Sequence, residues 1–184
     1  MIGYFWIGPD SVHLGAPPTE HTPGVQLTPE GVRSVAGAPA DNPEGEPWGV
    51  DGDWSWTELS SFHVGQVPTG DLAGKLLSSV GRRVVEAALT AVGFGGEPDL
   101  PPVLSARLLL EDGSTAELMA LSATDAYSVR EAQLSQHLLD RLVTGSTSVR
   151  TLLDWGREQD DLDHTPREAK REELLWEWGG RDAE

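Results

Sequence analysis

The first thirty-five residues alternate between apolar and polar positions with a period of two, and short turn sequences interrupt the alternation. "GYFWIGPDSVHLGAPP" swings about Gly8-Pro9-Asp10 and predicts two short strands over about 2–7 and 11–16. "VQLTPEGVRSV" repeats the form around Pro29-Glu30-Gly31. Proline presets φ and glycine tolerates a positive φ, so a type I or II hairpin is expected there. Residues 36–53 break the pattern. Three prolines, four glycines and five acids leave little to bury, which predicts a mobile loop. In "DWSWTELSSFHV", Trp54 and Trp56 share a face, Glu58-Leu59 breaks the period, and Phe62 and Val64 resume it. That reads as a short strand or turn at 53–57, a corner, and a strand over about 60–67.

Beyond residue 70 the period changes. Over 71–92, Lys75, Arg82, Arg83 and Glu86 share one polar stripe, and leucines and valines, including Val80 and Val84, fill the rest. The apolar arc is wider than a surface helix needs, so a helix covered on more than one side is expected, by its own domain or by a second copy. "PVLSARLLLEDGSTAELMALS" (102–122) predicts a hairpin turning at Asp112-Gly113. Next, Ser128 and Glu131 form a capping box and Gly145 follows the last apolar position. The helix between them carries Ala132, Leu138, Leu139, Leu142 and Val143 as its buried stripe. Two further helices are predicted. One covers about 147–158. The other starts with Thr165 as N-cap, Pro166 at N1 and Glu168 at N3, and ends before Gly179-Gly180.

Composition narrows what such a chain can do. Its 184 residues can bury a core without staples. There is no cysteine, which excludes disulfides, thiolate metal sites and cysteine nucleophiles and fits a reducing, cytoplasmic setting. No apolar run approaches the length of a membrane span, and "MIGYFWIG" lacks the basic start of a signal peptide, so no membrane insertion is expected. The net charge is -17, and Arg33 is the only basic residue among the first 70. Such a surface repels nucleic acid and anionic lipid, and it suits solubility or a basic protein partner. Arginine far outnumbers lysine, a bias that accompanies GC-rich genomes such as those of actinobacteria.

Candidate chemistries are few. "GDLAGKL" (70–76) has three residues between its glycines where a phosphate loop needs four, and Leu76 stands where a magnesium-binding hydroxyl belongs. "DLDHTPREAKRE" (161–172) places carboxylates at calcium-loop spacing, but Pro166 replaces the obligatory glycine, and the stretch is explained as a helix start. The five histidines are scattered, with no pair at the helical i,i+4 spacing of a zinc motif. These residues predict no catalytic constellation, metal or cofactor.

Strand pairs, the Trp56-Thr57-Glu58-Leu59 corner, a later hairpin and a closing amphipathic helix, in that order, resemble a pleckstrin-homology-like (PH-like) barrel. The resemblance covers about 1–145. It implies an α+β chain with an antiparallel β-barrel or sandwich; the sequence departs from it in an inserted helix at 71–92 and in an extra acidic helical extension over 146–184. It also implies a scaffold that binds proteins, peptides or lipids; the basic cluster of its lipid-binding members is not matched. The expected function is therefore a non-enzymatic cytoplasmic protein-binding module, an adaptor or assembly subunit, engaging a protein partner or a second copy. The alternatives are an acidic inhibitor or immunity-type protein against a basic partner, and a small enzyme with dispersed carboxylates. Partner-binding candidates are Val80 and Val84 on the over-apolar helix, and Leu174, Leu175, Trp176 and Trp178 at the aromatic end of the last one. That end either docks on its own domain or anchors in a partner.

Overall fold

The computed structural model describes residues 1–19, 22–36, 51–65, 67–69, 102–159 and 165–180. Five strands come first: β1 (Phe5–Ile7), β2 (Val12–Leu14), β3 (Gly24–Leu27), β4 (Gly31–Val35) and β5 (Gly52–Ser55). A 3-10 turn (Trp56–Glu58) leads into β6 (Leu59–Gly65), followed by β7 (Val103–Leu110) and β8 (Thr115–Leu121). Three helices close the chain: α1 (Val129–Val143), α2 (Val149–Arg157) and α3 (Glu168–Gly179). The chain is α+β, with a five-stranded antiparallel meander in the order β1-β2-β3-β4-β5 and a three-stranded antiparallel sheet β6-β7-β8.

The period of two decides which face each residue takes. In β4, Val32 and Ser34 point into the core while Arg33 and Val35 are exposed. In the first sheet Trp6, His13, Gln26, Arg33 and Asp53 are successive cross-strand partners and form one row on the outer face. The 3-10 turn that joins the sheets is held by a capping box. The Glu58 carboxylate accepts the Ser55 amide at 2.8 Å, and the Ser55 hydroxyl accepts the Thr57 amide at 3.3 Å. Trp54 and Trp56 are both half-buried against the core at this corner, and the Trp56 indole donates to the Thr28 carbonyl at 2.9 Å.

At the opposite corner the Ala16 amide donates to the Leu121 carbonyl at 2.7 Å. A Cβ on Gly15 would lie 2.1 Å from that carbonyl oxygen, so only glycine lets the two backbones meet. An antiparallel barrel or sandwich was the expectation. Among the described residues the sheets approach each other at these two corners and where β3 passes β8, and no strand ladder runs between them, so they remain two sheets and form no closed barrel.

The helices complete one core. α1 lies along β6, α3 packs on α1, and α2 covers the start of the meander at β1 and β2. Phe5, Leu14, Phe62 and Leu108 from the sheets share a single cluster with Leu138 and Leu139 of α1, Leu152 of α2 and Leu175 of α3. The segment after Gly145 is thus packed into the same core as the strands. Ser128 and Glu131 form the capping box that the sequence predicts, and Gly145 has the expected positive φ of 68°. The buried face of α1 also includes Leu134, Ser135 and Glu131 itself.

α3 begins later than expected. Its N-cap is Arg167, whose guanidinium has no acceptor to make a side-chain cap bond, and the Pro166 carbonyl before it accepts from the Arg171 guanidinium at 2.8 Å. The predicted helix at 71–92 and most of the 36–53 loop lie outside the described residues. Among the described residues no helix is long and apolar enough to cross a membrane.

Candidate functional site

The β7–β8 hairpin is built from its turn outward. Gly113 takes a φ of 84°, and the Asp112 carboxylate accepts both the amide (2.8 Å) and the hydroxyl (2.6 Å) of Ser114. Those two bonds favour the ionised form and hold the Asp112 pKa below the ordinary carboxylate value. The turn also sets which backbone groups face which way. Leu110 bonds Ser114 at one end of the ladder, and Ser122 bonds Pro102 at the other. Even-numbered residues of β8 therefore bond β7, and Thr115, Glu117, Met119 and Leu121 turn their N–H and C=O groups to the free side.

Two sheets have four edges, and three of these are closed or blunted. On β1, the Phe5 amide and carbonyl are both taken by Ile2, at 2.9 and 2.8 Å, and α2 comes so close that Gly156 must be glycine against the Gly8 carbonyl. β5 is four residues long, its Ser55 amide is bound by Glu58, and its remaining outward residue is the charged Asp53. On β6, one side chain replaces a strand. The Gln136 amide accepts from the Val64 N–H at 3.0 Å and donates to the Phe62 carbonyl at 2.7 Å. β8 differs. Its Leu121 carbonyl receives Ala16, but among the described residues the outward groups of Thr115, Glu117 and Met119 have no partner. Open edges invite pairing, and natural sheets commonly cover them.

The surface beside this edge is shallow. On the outer face of the second sheet, Met119 has Ser105 and Gly65 as cross-strand neighbours, and Thr115 has Leu109 and Ser61. Leu109 is one of the few large apolar side chains left exposed. The middle row reads His63, Arg107, Glu117, and the Arg107 Nε donates to Glu117 Oε1. This arrangement is an exposed row held by one ion pair. It has what strand addition uses: main-chain donors and acceptors in a line, with small neighbours on one flank.

The residues singled out in the sequence fall elsewhere. Val80 and Val84 lie outside the described residues. Leu174, Leu175 and Trp178 are buried in the shared core, where Trp178 meets Trp155 edge-on with ring centroids 5.7 Å apart. Trp176 is half-buried against the same core. The aromatic end of α3 therefore docks on its own fold, the first of the two options the sequence left open, and these side chains are engaged there.

Another polar cluster lies between α1 and α3. Glu131, almost wholly buried, pairs with Arg171 through two bonds of 2.5 and 3.1 Å, and Ser128 donates to Glu172 at 3.1 Å. The bond to Glu131 raises the Arg171 pKa further above its usual value. This network fastens the two helices together, and its carboxylate is consumed in doing so. His13 Nδ1, His137 Nε2 and Arg141 Nε are buried without a partner among the described residues. Being buried, they offer no donor or acceptor at the surface. No group of three histidines or acids that could hold a metal ion is formed by the described residues. Comparison with models of protein families, with curated proteins and with solved structures finds no match.

Proposed function

We propose that this chain is a non-enzymatic protein-binding module, an adaptor or assembly subunit on a PH-like scaffold, that takes an extended segment of its partner as an extra strand beside β8. The observation that carries the reading is the contrast between edges. Gln136, Ile2 and the Ser55–Glu58 turn close or blunt three of them, and β8 keeps three residues of outward main-chain groups unpaired among the described residues. The strand order, the capped Trp56–Glu58 corner and the amphipathic α1 packed on β6 support the PH-like scaffold.

Proline tests the reading, because at an outward position it removes a donor that the ladder to β7 does not use. Met119→Pro and Thr115→Pro should each keep stability within about 1 kcal/mol of the parent. Both should lose the proteins that the immobilised parent retains from an extract of the producing cells. In a purified complex the Glu117 and Met119 amides should exchange with deuterium more slowly than in the free chain. Equal retention by parent and proline variants, with unchanged amide exchange, would remove the proposal.

A further inference from the structure

Resting on the edge-binding reading above, we infer that the segment accepted by β8 carries a lysine or arginine opposite Glu117 and belongs to a different protein, not to a second copy of this chain. Glu117 is the middle of the three open positions. It stands next to the oppositely charged Arg107, and its side chain is 57% exposed. Arg107 bonds one carboxylate oxygen, Oε1. A cation on an added strand would continue the row as positive, negative, positive, with opposite charges directly across from each other.

A second copy fits the same edge poorly. Antiparallel pairing of two β8 strands about a two-fold axis uses all three open positions only when Glu117 faces the Glu117 of the other copy. Like charges directly opposite are destabilising. A shift of two residues one way runs into Leu121, whose carbonyl is already taken by Ala16. A shift the other way runs off the strand into the Asp112-Gly113 turn. Two chains of net charge -17 also repel as they approach. Glu117 thus discourages self-pairing and selects a basic strand.

Two end-blocked nine-residue peptides test this on the full chain by calorimetric titration. Both alternate valine and threonine; one has lysine at its centre and the other glutamate. The lysine peptide should bind on the order of tenfold more tightly at low salt. The difference should shrink as salt rises and largely vanish in Glu117→Gln. Thr115→Pro and Met119→Pro should abolish binding of both peptides. Equal affinity for the two peptides, still abolished by the prolines, would overturn the charge selection and leave the edge reading standing. No binding of either, or binding indifferent to both prolines, would overturn the edge reading as well. A concentration-dependent dimer of the parent, abolished by the same prolines, would make the second copy the occupant and also overturn the inference.

Discussion

At the scale of single residues, Gly31 shows how a local signal can name the right residue for the wrong reason. Turn chemistry expects a glycine with positive φ after Pro29-Glu30, yet Gly31 is the first residue of β4 and is not among the positive-φ glycines. A Cβ there would lie 1.9 Å from the Trp54 carbonyl oxygen, a backbone atom that side-chain motion cannot clear. Gly31→Ala should therefore destabilise by at least about 2 kcal/mol, read as a lowered urea midpoint. The reason is a contact with a residue 23 positions away, which no local pattern encodes. Glu131 was legible as half of a capping box for the same local reason that its partner Arg171, forty residues on, was not. Arg171→Ala leaves a buried carboxylate uncompensated and should cost about 3–5 kcal/mol. Glu131→Gln should cost less, because the cap bond can survive. His13 gives a pH test. Burial between the strands lowers its pKa below the ordinary histidine value. The unfolded chain then binds this proton more readily than the folded one, so stability rises with pH across the interval between the two pKa values. The contribution is complete above about pH 6.5 and is lost as pH falls through the lowered folded value. Urea unfolding between pH 5 and 7 should show this rise, and His13→Phe should flatten it relative to the parent.

At the scale of elements, what the sequence reveals depends on how local each signal is. The 102–122 hairpin, the Ser128 capping box and the corner at Trp56 each lie within a few residues of their own cause, and the structure has them where expected. The start of α3 was placed too early: the Arg171 guanidinium, five residues on, binds the Pro166 carbonyl, a side-chain contact that the Thr165-Pro166 cap signature does not encode. The open edge of β8 was not legible at all. Whether a strand lies at an edge depends on which other strands pair with it, and whether its odd residues face outward depends on register. Gln136 makes the same point from the other side. In sequence it is one polar residue on a helix; in the fold it supplies both bonds of a missing strand to β6. Gln136→Ala should leave the Val64 amide and Phe62 carbonyl unpaired and cost about 1–3 kcal/mol. Hydrogen exchange at Val64 should accelerate, while the β7–β8 ladder stays protected. Unchanged protection at Val64 would show that the edge is covered by something other than this amide.

At the scale of the whole molecule, the question is whether the segment after Gly145 is an appendage or part of the fold. Its composition is acidic and its helices are short, so by sequence it separates naturally from the strands before it. Lone helices of this length are marginal in water, so their order must come from packing. The structure supplies that packing. Val149, Leu152 and Leu153 of α2 and Leu174, Leu175 and Trp178 of α3 are all buried in the cluster that contains Phe5, Phe62 and Leu138. Gly3 lies so close to Ser135 and Leu175 that a Cβ would reach within 2.1 Å of the serine hydroxyl, so the N-terminal turn, α1 and α3 meet at one point. Burying six such side chains is worth roughly 10 kcal/mol or more at about 1.5–3 kcal/mol each. That is comparable with the whole stability of a typical domain, about 5–15 kcal/mol. Truncation after Gly145 should therefore abolish cooperative thermal unfolding, not merely lower its midpoint, and the fragment should expose apolar surface that binds a hydrophobic dye. A 1–145 fragment that still unfolds in one sharp transition would mean that the strands and α1 close their own core, and that the cluster they share with α2 and α3 adds little.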